Sequence, residues 1–292
     1  MDYKNVMKMT QHTKIFALLL LMYPLRVFSE IAVDAPLYEI NASKAKISSG
    51  LCTKNIGEGN NLIDDSVTYK SKCEGDGLGP KIVYDMGGNA FLSFTTSGKP
   101  NDDNMLKTRS ELAFTDPERP YFQFGKDYYI SFKLKIPDNS TQVNINKSFY
   151  VLQFWQCAGA SPIAGIRLAP PNKHSKKSTT NINFMTRGDF SEGSTVHFNI
   201  TNNEWTQFIV KVNVNPRKGK GQFIVWKNIN EVKVETHNSY GYFNKSTCTK
   251  NKRPEQHFRI KFGIYKDYEK GKKFTINFDD VLIGETFDSV LQ

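Results

Sequence analysis

Apolar and polar residues alternate with a period of two at several places along the chain. The pattern is clearest over residues 130–136, 208–214, 259–264 and 274–278, where apolar side chains fall on one face and polar ones on the other. Such alternation predicts antiparallel β-strands that are half buried. Turn-rich gaps separate these segments, and helical periodicity is rare. The sequence therefore predicts an all-β fold, a sandwich of two antiparallel sheets with few short helices.

Three polar segments interrupt this pattern. Residues 51–80 contain two cysteines and many glycines and aspartates, so we expect a loop region stapled by a disulfide. Residues 169–180 and 236–256 are expected to be further loops, whereas residues 30–50 are expected to hold a lead-in strand. None of these segments has the features of a domain boundary.

The first 29 residues have the order of a secretory signal. Lysines precede an apolar run over residues 15–23, and a small residue, Ser29, follows at a suitable distance for cleavage. The run is too short for a stable membrane span. We therefore expect a signal peptide over residues 1–29, a single secreted domain over residues 30–292 and no membrane attachment after cleavage.

Charge and cysteine content agree with export. The formal net charge of +10 favours polyanionic partners, which for an extracellular protein are acidic polysaccharides rather than nucleic acids. The four cysteines are an even number, as expected of disulfides in an exported chain. Three pairings are open; Cys52–Cys73 is the local one, and it leaves Cys157–Cys248. No cluster of cysteine and histidine has the spacing of a zinc site, so no metal site is expected.

The strand-like segment KTRSEL, residues 107–112, carries the first candidate site residues. Lys107, Arg109 and Glu111 fall on one face of such a strand. A row of two cations and one anion can clamp an anionic sugar. It can equally be a solvated strand face with a cross-strand ion pair.

The segment YVLQFWQ, residues 150–156, is apolar on both faces, as in a central strand. Gln153 and Trp155 nevertheless share a face. A glutamine among so many apolar residues needs hydrogen-bond partners. It either bonds to backbone groups or faces a ligand.

The segment RIKFGIYK, residues 259–266, places Arg259, Lys261, Gly263 and Tyr265 on one face. Gly263 leaves room for something to approach the sheet. A cation beside a phenol favours the charged form of the phenol. The alternative is an ordinary basic outer face.

Together these segments resemble the signature of the jelly-roll polysaccharide lyases, a group that includes alginate lyases, glucuronan lyases and heparin-lyase-I-like enzymes. The motifs concerned are RSEL at residues 109–112, the glutamine strand at 150–156 and KFGIY at 261–265. Two further stretches, EWTQF to GQFIVW over 204–226 and FDDVLIG over 278–284, are most similar to the heparin-lyase-I-like group. The resemblance spans residues 80–290 and implies a jelly roll, a concanavalin A-like sandwich.

The resemblance implies β-elimination at a uronic acid, in which the proton on C5 is abstracted and the oxygen on C4 is expelled. Because that proton is barely acidic beside a charged carboxylate, the site must neutralise the carboxylate and supply a base and an acid. By resemblance, Arg109 and Gln153 neutralise the carboxylate and Tyr265 donates a proton to O4. Lys261 holds positive charge nearby, and Glu111 orients Arg109.

The chain departs from the family pattern at Trp155, which stands where the family motif Q-x-H has histidine. Tryptophan cannot accept a proton. Either Tyr265 serves as both base and acid, or His197 in the strand-like segment 195–198 supplies the missing group. The third reading is that lyase activity is lost and Trp155 stacks on a bound sugar, which would make the protein a non-catalytic, lectin-like carbohydrate-binding protein.

The sequence therefore predicts a secreted, monomeric polysaccharide lyase acting on alginate, glucuronan or a heparin-like polymer. Lys107, Glu111, Trp155, Arg259 and Lys261 are expected to bind the substrate. No cofactor is expected, although a structural calcium ion is compatible with the fold that the resemblance implies. A glycoside hydrolase is disfavoured because the E-x-D-x-E type of strand is absent. A serine hydrolase is disfavoured because there is no G-x-S-x-G motif.

Overall fold

The computed structural model describes most of the chain from residue 35 onward. The described ranges are 35–47, 57–64, 67–74, 77–99, 107–113, 122–138, 145–155, 162–171, 178–187, 195–215, 220–235 and 257–291. Within them the chain forms eighteen strands and one short 3-10 helix, Asp288–Val290. The strands are β1 (Tyr38–Ile40), β2 (Lys46–Ile47), β3 (Gly57–Asp64), β4 (Val67–Glu74), β5 (Lys81–Tyr84), β6 (Ala90–Thr95), β7 (Lys107–Ala113), β8 (Phe122–Gln123), β9 (Asp127–Lys135), β10 (Phe149–Trp155), β11 (Ala164–Ala169), β12 (Thr179–Thr186), β13 (Thr195–Thr201), β14 (Thr206–Asn213), β15 (Gln222–Lys227), β16 (Asn230–Glu235), β17 (His257–Asp267) and β18 (Thr275–Gly284).

The strands lie in two sheets, and every described strand pair is antiparallel. The first sheet has the order β16-β15-β14-β9-β18-β6-β5, with β1 paired to β18. The second has the order β13-β12-β11-β10-β17-β7-β4-β3-β2, with β8 paired to β17. Long-range pairs such as β7 with β17 are typical of a jelly roll. The predicted fold class, an all-β jelly-roll sandwich of two antiparallel sheets, is confirmed.

The core lies between the sheets and is rich in phenylalanine. All of the largest fully buried side chains are phenylalanines, among them Phe94 and Phe278 in the first sheet and Phe258 in the second. Phe94 meets Phe262 of β17 edge-on, with ring centroids 5.8 Å apart, so aromatic contacts join the two sheets. This packing holds one face of β17 against the first sheet and leaves its other face outward.

The segments with period-two alternation form strands as predicted. They correspond to β9, β14, β17 and β18, and residues 30–50 contain β1 and β2. The loop region expected over residues 51–80 is wrong, because β3 and β4 form an antiparallel hairpin that extends the second sheet. The prediction relied on hydrophobic alternation, which is weak in a strand such as β3 with its many glycine and asparagine residues.

Cys73 in β4 is buried and forms a disulfide. The other three cysteines lie outside the described residues, so the Cys52–Cys73 and Cys157–Cys248 pairings stay predictions. The predicted signal over residues 1–29 and the expected loop over 236–256 also lie outside them. Within the ranges that the structure describes, no helix is long and apolar enough to cross a membrane.

A carboxyl with a raised pKa lies on the outward side of β18. Burial, together with the neighbouring charge of Asp280, raises the pKa of Asp279 from 3.8 to about 6. The backbone is irregular here, since Asp280 has a φ of 47° and the pairing with β9 shifts between Asp279 and Leu282. The folded state therefore binds a proton at Asp279 more tightly than the unfolded chain does.

We expect Asp279→Asn to stabilise the protein at alkaline but not at acidic pH. An acid whose pKa is raised in the folded state contributes stability below its unfolded pKa, and that contribution is lost as the pH rises through its folded pKa. The gain at about pH 8 should be about 1 kcal/mol, because the half-exposed position screens the full effect. It should shrink to nearly zero at about pH 4. Urea unfolding at both pH values measures it, with the exposed Asp138→Asn as control; an equal gain at both would contradict this account.

Candidate functional site

The candidate site residues meet on the outward face of the second sheet, which we call the site face. Three adjacent strands, β10, β17 and β7, carry them. Lys261 lies between Gln153 and Ala113 in the strand pairing, and Tyr265 lies between Tyr150 and Arg109. The alternation of β17 explains the arrangement, because Ile260, Phe262 and Ile264 pack into the core while the intervening side chains point outward.

Glu111 connects the two groups predicted to bind a carboxylate. Its Oε2 lies 3.2 Å from Arg109 Nη1, and its Oε1 accepts a hydrogen bond from Gln153 Nε2. Glu111 is 1% exposed and Gln153 is 2% exposed, whereas the Arg109 side chain keeps 22% of its surface in solvent. The Glu111 carboxylate therefore holds both donors in place. Its ion pair with Arg109 joins two residues of the same strand, β7, and not residues of neighbouring strands. These contacts are those expected of an orienting residue.

Tyr265 lies directly beside Arg109. The guanidinium carbon of Arg109 is 4.5 Å from the centre of the Tyr265 ring, and Lys107 Nζ is 5.9 Å from it. Lys107 itself forms an ion pair with Asp267. The phenol ring therefore lies among cations, next to the group that would hold a carboxylate.

Two cationic side chains lie against the ring of Trp155. Lys261 Nζ lies 4.0 Å from the centre of its ring and Arg259 Cζ lies 5.3 Å from it. Lys261 is 2% exposed, so its ammonium is buried against the tryptophan. This second cluster adjoins the first, because Lys261 and Gln153 are direct partners in the strand pairing.

His197 is not brought to Tyr265. It lies on the exposed side of β13, in a cross-strand row that runs through Asn183, Arg167 and Tyr150 to Tyr265. Four strand spacings separate the two residues, which amounts to about 19 Å. Proton transfer needs contact within about 3 Å, directly or through a water. We therefore assign His197 no part in proton transfer at Tyr265.

Tyr150 is a site-face residue that sequence reasoning missed. Simple alternation from Gln153 and Trp155 would place Tyr150 on the core side. The pairing of β10 shifts between Tyr150 and Leu152, and this bulge buries Val151 while turning Tyr150 outward opposite Tyr265. No period-two count can detect such a shift.

The sequence predicted that Gly263 leaves room for a ligand to approach the sheet. The structure contradicts this prediction. The φ of Gly263 is +125°, and a Cβ at this position would meet the Ser110 carbonyl oxygen, with Glu111 Cα at 2.8 Å and Phe94 Cδ1 at 2.9 Å. The group that approaches is the backbone of the neighbouring strand β7. Glycine is needed here for strand packing.

The described residues offer no obvious place for a metal. Across the part of the chain that the structure describes, no three His, Cys, Asp or Glu side chains come together in a group that could hold an ion. That absence holds for the described residues only, and the structural calcium ion stays a prediction.

Comparisons with known proteins identify the family. The model of the polysaccharide lyase family matches residues 81–282. Among solved structures, an endo-β-1,4-glucuronan lyase from the fungus Trichoderma reesei is similar with a TM-score of 0.50 and 13% identity, covering 88% of this chain and 94% of that one. An alginate lyase from Pseudomonas aeruginosa has a TM-score of 0.45 and 15% identity, covering 67% of this chain and 83% of that one. An alginate lyase from Klebsiella pneumoniae has a TM-score of 0.48 and 13% identity, covering 70% of this chain and 84% of that one.

No curated protein sequence matches the chain. The glucuronan lyase shares its fold, in agreement with the two sheets described above. The family match covers more than half of the chain and includes the three strands that carry the candidate site. The resemblance inferred from the sequence motifs is therefore confirmed, and the chain belongs to the polysaccharide lyase family.

Proposed function

We propose that this protein is a secreted lyase that cleaves a uronic-acid-containing acidic polysaccharide by β-elimination. The observation that carries the proposal is the cluster of Arg109, Glu111 and Gln153 directly beside Tyr265 on the site face. Each of the two chemical demands of the reaction has a residue of suitable type in this cluster.

The first demand is neutralisation of the carboxylate beside C5. Arg109 offers a planar, permanently charged fork that matches a carboxylate, and Gln153 offers an amide. Glu111 holds both groups in place, so little conformational freedom is lost when the substrate binds. With its charge balanced, the carboxylate can take up the electron density that develops when the C5 proton leaves.

The second demand is proton transfer. The C5–H bond breaks, a double bond forms between C4 and C5, the C4–O4 bond breaks, and O4 receives a proton. Tyr265 lies next to Arg109 and therefore next to the carbon that bears the bound carboxylate. Trp155 cannot take part, and His197 is four strands away, so the proton transfer involves Tyr265.

The substrate class rests on charge and on the relatives. The chain has a formal net charge of +10, which becomes +7 once the four basic residues and one acid of residues 1–29 are removed, and the site face carries Arg109, Arg259 and Lys261. The similar solved structures are named as glucuronan and alginate lyases. These observations favour a polyuronate, either glucuronan or alginate, and heparin-like polymers belong in the same test. Export rests on residues 1–29, and N-terminal sequencing of the secreted protein tests cleavage after Ser29.

Incubation of the purified mature protein with alginate, polyglucuronate, heparin and heparan sulfate tests the proposal. Elimination creates a double bond conjugated with the carboxylate, so ultraviolet absorbance should rise with at least one polymer. Arg109→Ala should abolish the rise, whereas Lys126→Ala, in an exposed ion pair with Glu285, should not. Binding without any rise in absorbance would favour the non-catalytic, lectin-like alternative, in which Trp155 marks a lost catalyst.

Glu111→Gln is expected to lower kcat/KM by about tenfold to a hundredfold. The substitution keeps the size of the side chain but removes the charge that holds Arg109, and hydrogen bonds to charged groups contribute about 1.5–3 kcal/mol. The same ultraviolet assay measures the loss, and Glu285→Gln is the matched control. Unchanged kcat/KM would show that Arg109 does not depend on Glu111 for its orientation.

A further inference from the structure

The site as proposed names one group, Tyr265, for two proton transfers. Elimination requires a base at C5 and an acid at O4, and a single tyrosine would have to act as both. The family histidine is replaced by Trp155. Of the described neighbours of Tyr265, Lys107 and Arg109 are held in ion pairs, whereas its cross-strand partner Tyr150 carries a hydroxyl that can exchange a proton.

Tyr150 and Tyr265 form a pair across β10 and β17. Their rings are stacked, with centroids 6.5 Å apart and an interplanar angle of 24°. Both are partly exposed on the site face. The bulge that shifts the pairing between Tyr150 and Leu152 is what brings Tyr150 to this face. A feature of the backbone thus places two phenols side by side on the site face.

An arginine flanks each phenol on its outer side. Arg109 lies over Tyr265 at 4.5 Å, and Arg167 Cζ lies 5.7 Å from the centre of the Tyr150 ring. The four side chains form one row across β11, β10, β17 and β7. A cation beside a phenol stabilises the phenolate that remains after a proton is given up. Arg167 is placed to stabilise negative charge that develops on Tyr150 during the reaction, and Arg109 is placed in the same way beside Tyr265.

Among the residues that the structure describes, the hydroxyl of Tyr150 has only a weak hydrogen-bond partner. It donates a hydrogen bond to Met185 Sδ at 3.4 Å, and a thioether sulfur is a poor acceptor. The proton is therefore oriented but not committed to a strong partner. This is suitable for a group that delivers a proton to a departing oxygen.

We propose that Tyr150 is the general acid at O4 and that Tyr265 is the base at C5; this rests on the proposed lyase function. Tyr265, as phenolate, takes the C5 proton, because it lies beside the carboxylate-binding Arg109. The electron pair forms the C4–C5 double bond, the C4–O4 bond breaks, and O4 receives the phenolic proton of Tyr150. Tyr265 is then protonated and Tyr150 is a phenolate, and exchange with solvent restores the starting state.

Tyr150→Phe, assayed on two substrates, tests the assignment. Phenylalanine keeps the stacked ring and removes only the hydroxyl. On the natural polymer kcat should fall by about a hundredfold or more, as expected for loss of a general acid. On a uronate whose O4 carries a nitrophenyl group, which departs without a proton, kcat should be nearly that of the unsubstituted protein. Tyr84→Phe, exposed in the first sheet, is the matched control.

A second variant guards against a general loss of structure. Arg167→Gln should lower kcat on the polymer and leave the nitrophenyl substrate nearly unaffected, with a thermal unfolding midpoint close to that of the parent protein. Equal losses on both substrates for Tyr150→Phe would overturn the assignment, and so would full activity on the polymer, because Tyr265 would then serve both steps. No activity of the unsubstituted protein on any polyuronate would instead refute the proposed function itself.

Discussion

Replacing Tyr265 with phenylalanine is expected to lower kcat on the preferred polyuronate by about a thousandfold or more, with little change in KM. The ring keeps its contacts with Arg109 and Tyr150, so only the hydroxyl is lost. The substitution leaves Arg109 and Gln153, the residues proposed to bind the carboxylate, in place. A fall in kcat without a matching rise in KM indicates an interaction that is made only in the transition state.

The ultraviolet assay gives kcat and KM, and calorimetric titration with the polymer gives the affinity. Tyr84→Phe, exposed on the first sheet, is the control for removing a phenolic hydroxyl elsewhere. The nitrophenyl substrate adds a sharper distinction between the two tyrosines. An activated leaving group cannot compensate for a missing base, so Tyr265→Phe should remain inactive on it. Retention of kcat on the polymer would remove Tyr265 from the chemistry.

The sequence alone predicts much of the fold because most strands here are half buried. In β9, β14 and β17 the core side is apolar and the outer side polar, so alternation identifies them directly. The method fails in β3, where glycine and asparagine replace the apolar positions. Hydrophobic alternation also cannot predict which strands pair. For example, β7 and β17 are more than a hundred residues apart in the sequence and become neighbours only in the folded sheet.

The site shows the same division between local pattern and tertiary arrangement. Arg109, Glu111 and Tyr265 are recognisable because each lies on the outward phase of a regular strand. Tyr150 escapes notice because the bulge in β10 reverses its phase. The sequence also does not show that His197 is far from Tyr265. His197 lies on the same face of the sheet, but the strand order places β13 four strands from β17. Neither the bulge nor the strand order can be read from hydrophobic periodicity.

Gly263→Ala is expected to destabilise the protein by about 3 kcal/mol or more. Two costs act together at this position. The φ of +125° is a conformation that residues with a Cβ rarely adopt, and a Cβ would be forced against the Ser110 carbonyl oxygen and the Phe94 ring. The core behind Gly263 is closely packed with aromatic rings, and Glu111 Cα, at 2.8 Å, belongs to backbone that cannot move aside cheaply.

Gly88→Ala separates the two costs. Gly88 also has a positive φ, +81°, but nothing lies within 4 Å of where its Cβ would be, so strain alone should cost about 1–2 kcal/mol. Urea unfolding of both variants measures the difference. If Gly263→Ala folds, β7 must move away from β17, which carries Arg109 and Glu111 away from Tyr265, and lyase activity should fall further than stability alone explains. Equal destabilisation by the two substitutions would show that the close approach of β7 is not what requires glycine at this position.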